Sequence, residues 1–266
     1  MKREKITVII LTKNEQNNIK DCINSVLGWA DEIIVVDDDS FDKTVEIAKN
    51  LGAKVFKRKM ENEGIQRNWA IKQATYDWIL SLDADERVSK DLKKEIDSVL
   101  KVGSEFSAFT IPRKNFIGDY WVKWGGLYPA SQIKLFKKDR LKWEEVEVHP
   151  RVFLEGLVGH LKKDIIHYTY KNWESFLNKL NKQTNLEAKK WYNYSLISPK
   201  KARYKMNFIH TLWRVFDRFI RVFIVKKGYR DGFIGFMLAY FASLYQIVSY
   251  AKYKELKRSQ LKNVKD

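Results

Sequence analysis

The chain contains little cysteine, proline and glycine, and each shortage excludes a class of protein. Its 266 residues include one cysteine, four prolines and twelve glycines. The single cysteine, Cys22, excludes a disulfide scaffold and a cysteine-ligated metal cluster, and it fits a reducing compartment. The low glycine and proline content excludes collagen-like and low-complexity sequences.

Two nucleotide-binding signatures and a secretion signal are also missing. The first predicted strand is followed by TKNE at residues 12–15, where a dinucleotide-binding fold has G-x-G-x-x-G, so NAD is not expected. The G-x-x-x-x-G-K-[ST] sequence of a P-loop does not occur. The apolar run at residues 6–11 is shorter than the core of a signal peptide, and we interpret it as a buried strand.

The chain does have a large apolar fraction and an uneven positive charge. Apolar residues make up 45% of it, which is enough for a packed core. The formal net charge is +17: residues 1–170 hold 29 basic and 27 acidic residues, whereas residues 171–266 hold 21 and 6. This asymmetry indicates a basic appendage that meets an anionic partner, either a membrane surface or a nucleic acid, or else a solvated basic helical face.

The hydrophobic pattern of the first hundred residues alternates between strands and helices. Strands are predicted at residues 6–11, 32–36, 54–57 and 78–82. This order predicts an α/β fold with a mainly parallel sheet that helices cover on both faces. Ligands bind beyond the carboxyl ends of such strands, so we expect one crevice to collect the polar turns at residues 12–15, 37–40 and 83–86.

The last third of the chain is predicted to be helical. Residues 206–225 are amphipathic, with an apolar face opposite a basic one, and a basic cluster at residues 226–230 follows. Residues 232–251 are about long enough to span a bilayer, but their polar side chains argue against it. We therefore predict two domains, an α/β domain at 1–170 and a basic amphipathic helical region at 171–266.

Two carboxylates, Asp83 and Asp85, follow the fourth predicted strand. Strand residues two apart point the same way, so both carboxylates can face one ligand. They repel each other unless a cation or a proton lies between them, and Mg²⁺ or Mn²⁺ would also bridge a diphosphate. The alternative is that Asp85 or Ser89 caps the following helix.

A second acidic turn, Asp37-Asp38-Asp39, follows the second predicted strand. A carboxylate there can accept hydrogen bonds from a nucleobase or a ribose at the edge of the sheet. Turn formation and capping are the alternative interpretation.

An aromatic loop lies between two later predicted strands. Its rings could stack on a sugar and its glycines allow close backbone approach, which makes substrate-binding candidates of Trp121, Trp124, Gly125, Gly126 and Tyr128. A packed aromatic cluster is the alternative interpretation.

Four segments in order resemble the glycosyltransferase family 2 enzymes of GT-A fold. They read ITVIILTKNE, IIVVDDDSFDKT, GIQRN and WILSLDADE. The resemblance covers roughly residues 5–170, and it implies a Rossmann-like sheet. The basic amphipathic pattern of residues 171–266 adds a helical, membrane-associating C-terminal appendage. The later stretch, from WGGLYPASQIKLF to VEVHPRVFLEG and the helical tail, resembles a bacterial branch near the lipopolysaccharide-core glucosyltransferases.

The resemblance implies a nucleotide-sugar donor, most simply a UDP-sugar. By this resemblance, Thr12 and Glu15 line the nucleotide pocket, and Asp38 holds the uracil with Asp37 nearby. Arg67 matches the basic residue that approaches the donor phosphates.

The resemblance also implies an inverting, metal-dependent reaction. Asp83 and Asp85 match the pair that binds Mg²⁺ or Mn²⁺, with Asp85 the direct ligand. An acceptor hydroxyl would attack the sugar C1 in one displacement, with a carboxylate as base and the metal stabilising the departing diphosphate.

The base is expected within residues 143–150. Many relatives have His-Glu where this chain has His149 and Pro150, so either the role passes to Glu145 or Glu147, or the two sequences differ in register. On a strand, both glutamates and His149 would share one face, and a solvated strand edge is the alternative. Relatives often have an aspartate where this chain has Ala130, which leaves acceptor recognition in that loop open.

The predicted function is transfer of a sugar to a hydroxyl of a cell-envelope glycan or a lipid-linked acceptor. We expect a cytoplasmic enzyme, peripheral on the inner face of the cell membrane and held there by its basic helices. Those helices could instead form a homo-oligomer. The alternatives are a GT-A nucleotidyltransferase, which would need a glycine-rich basic loop after the first strand, and a basic nucleic-acid-binding protein, which would need a recognised motif.

Overall fold

The computed structural model describes residues 3–101, 104–146 and 151–262. The chain forms two compact units, Met1–Lys114 with Pro129–Tyr168 and Asn115–Tyr128 with Thr169–Asp266. The division after Tyr168 lies close to residue 170, where the sequence predicts the end of the first domain. The segment Asn115–Tyr128 lies inside that predicted domain but groups with the second unit.

The secondary structure of the described residues alternates strands and helices up to residue 99 and is entirely helical after residue 172. The strands are β1 (Ile6–Thr12), β2 (Glu32–Asp37), β3 (Lys54–Lys57), β4 (Trp78–Asp83), β5 (Glu86–Val88), β6 (Phe106–Ile111), β7 (Arg113–Ile117), β8 (Tyr120–Trp121), β9 (Gln132–Lys137), β10 (Leu141–Trp143), β11 (Val152–Leu154), β12 (Leu157–His160) and β13 (Ile165–Tyr170). The α-helices are α1 (Ile19–Asn24), α2 (Thr44–Asn50), α3 (Glu63–Lys72), α4 (Lys90–Val99), α5 (Trp173–Ile197), α6 (Pro199–Lys205), α7 (Phe208–Ile220) and α8 (Gly232–Lys262).

The main sheet of the first unit has the strand order β12-β6-β9-β4-β1-β2-β3. Strand β1 pairs in parallel with β2 and β4, β2 with β3, and β6 with β12, whereas β9 runs antiparallel to both of its neighbours. The prediction of a mainly parallel sheet is therefore confirmed, and the four predicted strands are β1 to β4.

The alternation of side chains along β1 supplies both faces of this sheet. Ile6, Val8 and Ile10 join one buried cluster with residues of α1 and α4, and Ile9 joins a second cluster with residues of α3. All four are at most 2% exposed, and burying each such side chain contributes about 1.5–3 kcal/mol. Because both faces are covered, the strand is a nearly continuous apolar run.

The second unit is built around α5, α7 and α8, with α8 packed along both other helices. A π-helical turn (Arg221–Val225) continues α7, and a 3₁₀ turn (Gly228–Asp231) precedes α8. Ala188, Trp191 and Tyr253 form its core.

Helix α7 exposes large apolar side chains and buries part of its polar surface. Thr211 is fully buried, and the guanidinium of Arg214 lies 4.3 Å from the ring centre of Trp191. Five large apolar residues, Phe208, Ile209, Leu212, Trp213 and Phe216, are 45–80% exposed, and Arg218 is also exposed. A helix that packs only on its own domain buries the apolar side instead.

Among the described residues one helical stretch, Gly228–Ser259, is long and apolar enough to cross a membrane, with a mean hydropathy of 1.5. One third of its apolar window is buried inside the structure, and the core helix of a water-soluble protein meets the same two criteria.

Candidate active site

The register of three strands brings the predicted polar turns to one edge of the sheet. Thr12 lies opposite Asp37 on β2, and Leu11 lies opposite Asp83 on β4. At this edge is a cavity of about 280 Å³, and its lining includes six of the predicted residues: Thr12, Glu15, Asp38, Arg67, Asp83 and Asp85.

Asp38 is the acidic residue of its turn that faces the cavity. It is 5% exposed, and its carboxylate accepts hydrogen bonds from Lys13 Nζ at 2.7 Å and from the Met60 N–H at 2.8 Å. Burial raises the pKa of this carboxyl, but the two hydrogen bonds and the charge of Lys13 outweigh it, and the pKa lies below its usual value. Asp38 is therefore an ionised hydrogen-bond acceptor at the cavity wall.

Asp37, the neighbouring acidic residue, is buried in the turn rather than at the cavity wall. It is fully buried, and its carboxylate accepts hydrogen bonds from the N–H of Ser40 at 2.9 Å and from the Ser40 hydroxyl at 2.5 Å. These bonds shape the acidic turn, and Asp37 is not among the residues that line the cavity. A contact between Asp37 and the nucleotide stays a prediction.

Asp83 is held between two cations. Its Oδ1 lies 3.1 Å from the Arg67 guanidinium and its Oδ2 lies 3.0 Å from Lys134 Nζ. Burial raises the pKa of Asp83, but the charges of Lys134 and Arg67 hold it well below the usual range. Arg67 also donates to Ser81 Oγ at 3.0 Å, so its guanidinium is fixed beside the strand end.

Lys134 and Glu86 complete this network, and the sequence analysis missed both. Lys134 is 3% exposed and Glu86 is fully buried, and Lys134 Nζ lies 2.6 Å from Glu86 Oε2. Burial lowers the pKa of Lys134, but Asp83 and Glu86 raise it above its usual value, so the lysine stays charged. The available signal was a lysine inside the apolar run IKLF at residues 133–136, since a buried charge requires a partner.

Asp85 lines the cavity beside Asp83. Its Oδ2 lies 3.4 Å from His167 Nε2, and its carbonyl accepts the N–H of Tyr168 at 3.0 Å. The cap of α4 is Ser89, whose hydroxyl accepts the N–H of Leu92 at 3.2 Å, so the capping role that was one alternative for Asp85 belongs to Ser89.

The chemistry of this site fits a nucleotide-bound divalent cation. The described residues contain no group of three or more histidine, cysteine, aspartate or glutamate side chains placed to hold a metal. Mg²⁺ at nucleotide sites is held by one or two carboxylates, with phosphate oxygens and water as further ligands. Asp85 and Asp83 supply that number, and since both oxygens of Asp83 already contact cations, Asp85 fits the role of direct ligand.

Glu145 is fixed to α3 through the backbone of the preceding residues. Asn68 exchanges hydrogen bonds with the backbone of Trp143 at 2.8 and 2.9 Å and donates to Glu145 Oε1 at 3.0 Å. A Cβ at Gly64 would lie 2.0 Å from the carbonyl oxygen of Glu144, so only glycine permits this approach. The segment GIQRN thus contains both Arg67, which lines the cavity, and Asn68, which contacts the candidate base Glu145. Glu147 and His149 lie outside the described residues.

The predicted sugar-binding loop belongs to the second unit. The rings of Trp121 and Tyr128 meet edge to face at 5.4 Å, and Arg230 lies over the ring of Trp124 at 4.7 Å. Gly125 and Gly126 both have positive φ angles. The aromatic side chains therefore make a packed cluster, and sugar stacking by this loop stays a prediction.

The chain is similar to known glycosyltransferases. Residues 7–149 match the model of the family described as Glycosyl transferase family 2. A protein of Rickettsia typhi named as an uncharacterized glycosyltransferase is 28% identical over 95% of this chain and 88% of its own length. The lipopolysaccharide core biosynthesis glycosyltransferase LpsC of Rhizobium meliloti is 23% identical over 93% of this chain and 91% of its own length.

Among solved structures, residues 1–349 of TarS from S. aureus superpose with a TM-score of 0.48 at 16% identity, covering 96% of this chain and 92% of that chain. The family match includes more than half of the chain and contains the whole cavity. The protein belongs to glycosyltransferase family 2 and has its GT-A fold.

Proposed function

We propose that this enzyme transfers a sugar from a UDP-sugar to a hydroxyl group of a cell-envelope glycan or lipid-linked acceptor, with inversion at the sugar C1. The observation that supports this best is the cavity at the ends of β1, β2 and β4, where Asp38, Arg67, Asp83 and Asp85 converge. Ligands of open α/β sheets bind at such an edge.

Charged side chains hold the donor at its uridine and at its diphosphate. The ionised Asp38 accepts hydrogen bonds from the N–H of uracil or the hydroxyls of ribose. Arg67, with Lys13 beside it in the cavity wall, provides positive charge for the diphosphate. Because Arg67 is already fixed by Ser81 and Asp83, little conformational entropy is lost when the diphosphate binds.

The divalent ion expected of the family would be held by Asp85, with Asp83 beside it. When bound, it would neutralise the charge of the departing UDP. Lys134 keeps Asp83 ionised and oriented, so the network of buried charges positions this edge of the site before the donor arrives.

We assign the general base to Glu145. Its exposed side chain accepts a hydrogen bond from Asn68, and the ring centre of Trp143, two residues earlier, lies 4.9 Å from the guanidinium of the cavity residue Arg67. There Glu145 would take the proton of the acceptor hydroxyl as that oxygen attacks C1. Glu147 remains the alternative base.

The acceptor is proposed to lie at the membrane surface. Support comes from the exposed apolar side chains of α7 and from the excess of basic residues in positions 171–266. The name of the Rhizobium relative suggests the acceptor class, a lipopolysaccharide core or a related envelope glycan. The enzyme would then act from the cytoplasm, on the inner face of the membrane.

A thermal-shift panel of UDP, GDP, dTDP and CMP, each with and without Mn²⁺, tests the donor proposal. A ligand at one hundred times its Kd stabilises the native state by about 2.7 kcal/mol. We expect a Mn²⁺-dependent shift with UDP that Asp38→Asn abolishes. The matched control is Asp39→Asn, an exposed neighbour with the same charge change. A UDP shift that survives Asp38→Asn would refute the assigned site.

A further inference from the structure

A buried carboxylate ties the aromatic loop to the turn before α8. Asp231 is 6% exposed, and it accepts hydrogen bonds from the N–H of Trp124 at 2.8 Å and from the Tyr120 hydroxyl at 3.1 Å. The N–H of Gly125 donates to the carbonyl of Lys226 at 2.9 Å. The loop and the turn thus form one element within the second unit.

Two exposed cations lie on this loop. A Cβ at Gly126 would lie 2.6 Å from Lys226 Cδ and 2.7 Å from its Nζ, so the lysine side chain crosses the glycine. The guanidinium of Arg230 stacks on Trp124 at 4.7 Å. Within the described part of the chain, neither cation is among the residues that form ion pairs.

The chemistry of the two cations suits a phosphate. Guanidinium and ammonium groups both donate strong charge-assisted hydrogen bonds to phosphate oxygens. Stacking on Trp124 and contact with Gly126 restrict the two side chains before any ligand binds, which lowers the entropic cost of holding an anion.

Large apolar side chains flank the two cations in sequence. Ile224, Val225, Tyr229 and Phe233 are 47–70% exposed. Apolar side chains interleaved with cations are typical of segments that enter the headgroup layer, because the former reach the acyl boundary while the latter meet lipid phosphates. A site for a free phosphorylated metabolite would not need exposed apolar neighbours.

We propose that Lys226 and Arg230, held on the loop of residues 120–128, bind the phosphate group of a membrane lipid while Ile224, Val225, Tyr229 and Phe233 insert beside it. The inference rests on the membrane association in the proposed function, and it adds the point of contact and the chemistry recognised there. The aromatic loop, whose sequence predicts sugar stacking, then supports the side chains of a lipid-phosphate site.

Co-sedimentation of the full-length protein with vesicles tests this proposal. Vesicles of phosphatidylcholine alone are compared with vesicles that also contain phosphatidylglycerol. Two cations at an anionic surface together change the partition coefficient about 30-fold. We expect Lys226→Gln/Arg230→Gln to weaken binding to the anionic vesicles by that factor. The control Lys189→Gln/Lys190→Gln removes the same charge from the exposed side of α5, and it should change binding much less. An equal loss in both would mean general electrostatic attraction and would overturn the site.

A second pair of variants leaves the net charge unchanged. Gly126→Ala should displace Lys226 and weaken binding to the anionic vesicles. Gly118→Ala is the matched control, since Gly118 also has a positive φ, 54°, but its Cβ would meet nothing closer than 3.5 Å. Wild-type binding by Gly126→Ala would overturn the proposal.

Two further readouts separate the possible causes of failure. Soluble glycerol phosphate that binds as tightly as the vesicles would overturn the assignment to a lipid. The UDP thermal shift is measured on the same preparations, and it should be equal in the wild type and in the two double lysine and arginine variants. A wild-type protein that responds to UDP but ignores every vesicle overturns this inference and leaves the donor site intact.

Discussion

Replacement of Lys134 by methionine tests the buried charge network beneath the donor site. Lys134 Nζ lies 2.6 Å from Glu86 Oε2 and 3.0 Å from Asp83 Oδ2, and the lysine is 3% exposed. Methionine has a similar length but no charge, so the variant leaves Glu86 without its close cation. Removing one partner of a buried ion pair costs about 3–5 kcal/mol.

The structure favours the lower end of that range. Arg113 lies 3.7 Å from the other oxygen of Glu86 and keeps part of the compensation, and Asp83 retains Arg67 at 3.1 Å. We therefore expect Lys134→Met to lower the free energy of unfolding by about 3 kcal/mol. Urea unfolding followed by circular dichroism measures this quantity.

A double variant separates stability from function. Lys134→Met/Glu86→Gln removes both charges, so no buried carboxylate at position 86 is left without its close cation, which is the main cost of breaking a buried pair. We expect it to recover most of the lost stability, but not UDP affinity or sugar transfer, because Asp83 still lacks its second cation. A single variant that loses less than about 1 kcal/mol, or a double variant no more stable than the single one, would contradict the ion pair assigned to Lys134 and Glu86.

Three other changes probe the site. Asp83→Asn should flatten the acid limb of stability. The folded pKa of Asp83 lies well below the unfolded value of about 3.9, so its contribution to stability is complete above that pH and is lost progressively as the pH falls towards the folded pKa. Urea titrations between about pH 5 and pH 3 follow the start of this loss. An acid limb equal to that of the wild type would contradict the assigned ion pairs. Glu145→Gln should lower kcat about 100-fold with little change in the KM of the donor. The control is Glu144→Gln, which should keep the wild-type kcat because the side chain of Glu144 pairs with Arg151. Equal kcat values in the two variants would exclude Glu145 as the base. Gly64→Ala should lower the free energy of unfolding by about 1–3 kcal/mol and should lower kcat, because the added Cβ would meet the carbonyl of Glu144. A variant with wild-type stability and rate would contradict that contact.

The sequence predicts those parts of the fold that depend on local pattern. The runs at β1, β2 and β4 are buried on both faces, so their apolar composition alone marks them as inner strands. Parallel pairing then requires their polar ends to meet, which brings Asp38 and Asp85 to the same cavity.

Other features depend on contacts between distant segments, which no local pattern contains. Lys134 lies about fifty residues from Glu86 and Asp83 in the chain, and nothing in a strand of sequence IKLF identifies the partner of its charge. The buried polar surface of α7 depends on Trp191 of α5, and the place of the aromatic loop depends on Asp231, more than one hundred residues away. In each case a tertiary contact decides which side of an element is buried.

Calorimetric titration of UDP into the wild type and Asp85→Ala, with and without Mn²⁺, is the sharpest test of the proposed donor site. We expect one UDP bound per chain, with an affinity that needs Mn²⁺ in the wild type and is lost in a folded Asp85→Ala variant. No binding of UDP by the wild type, or binding that is equal in the two proteins, would contradict a nucleotide-sugar site at this edge of the sheet.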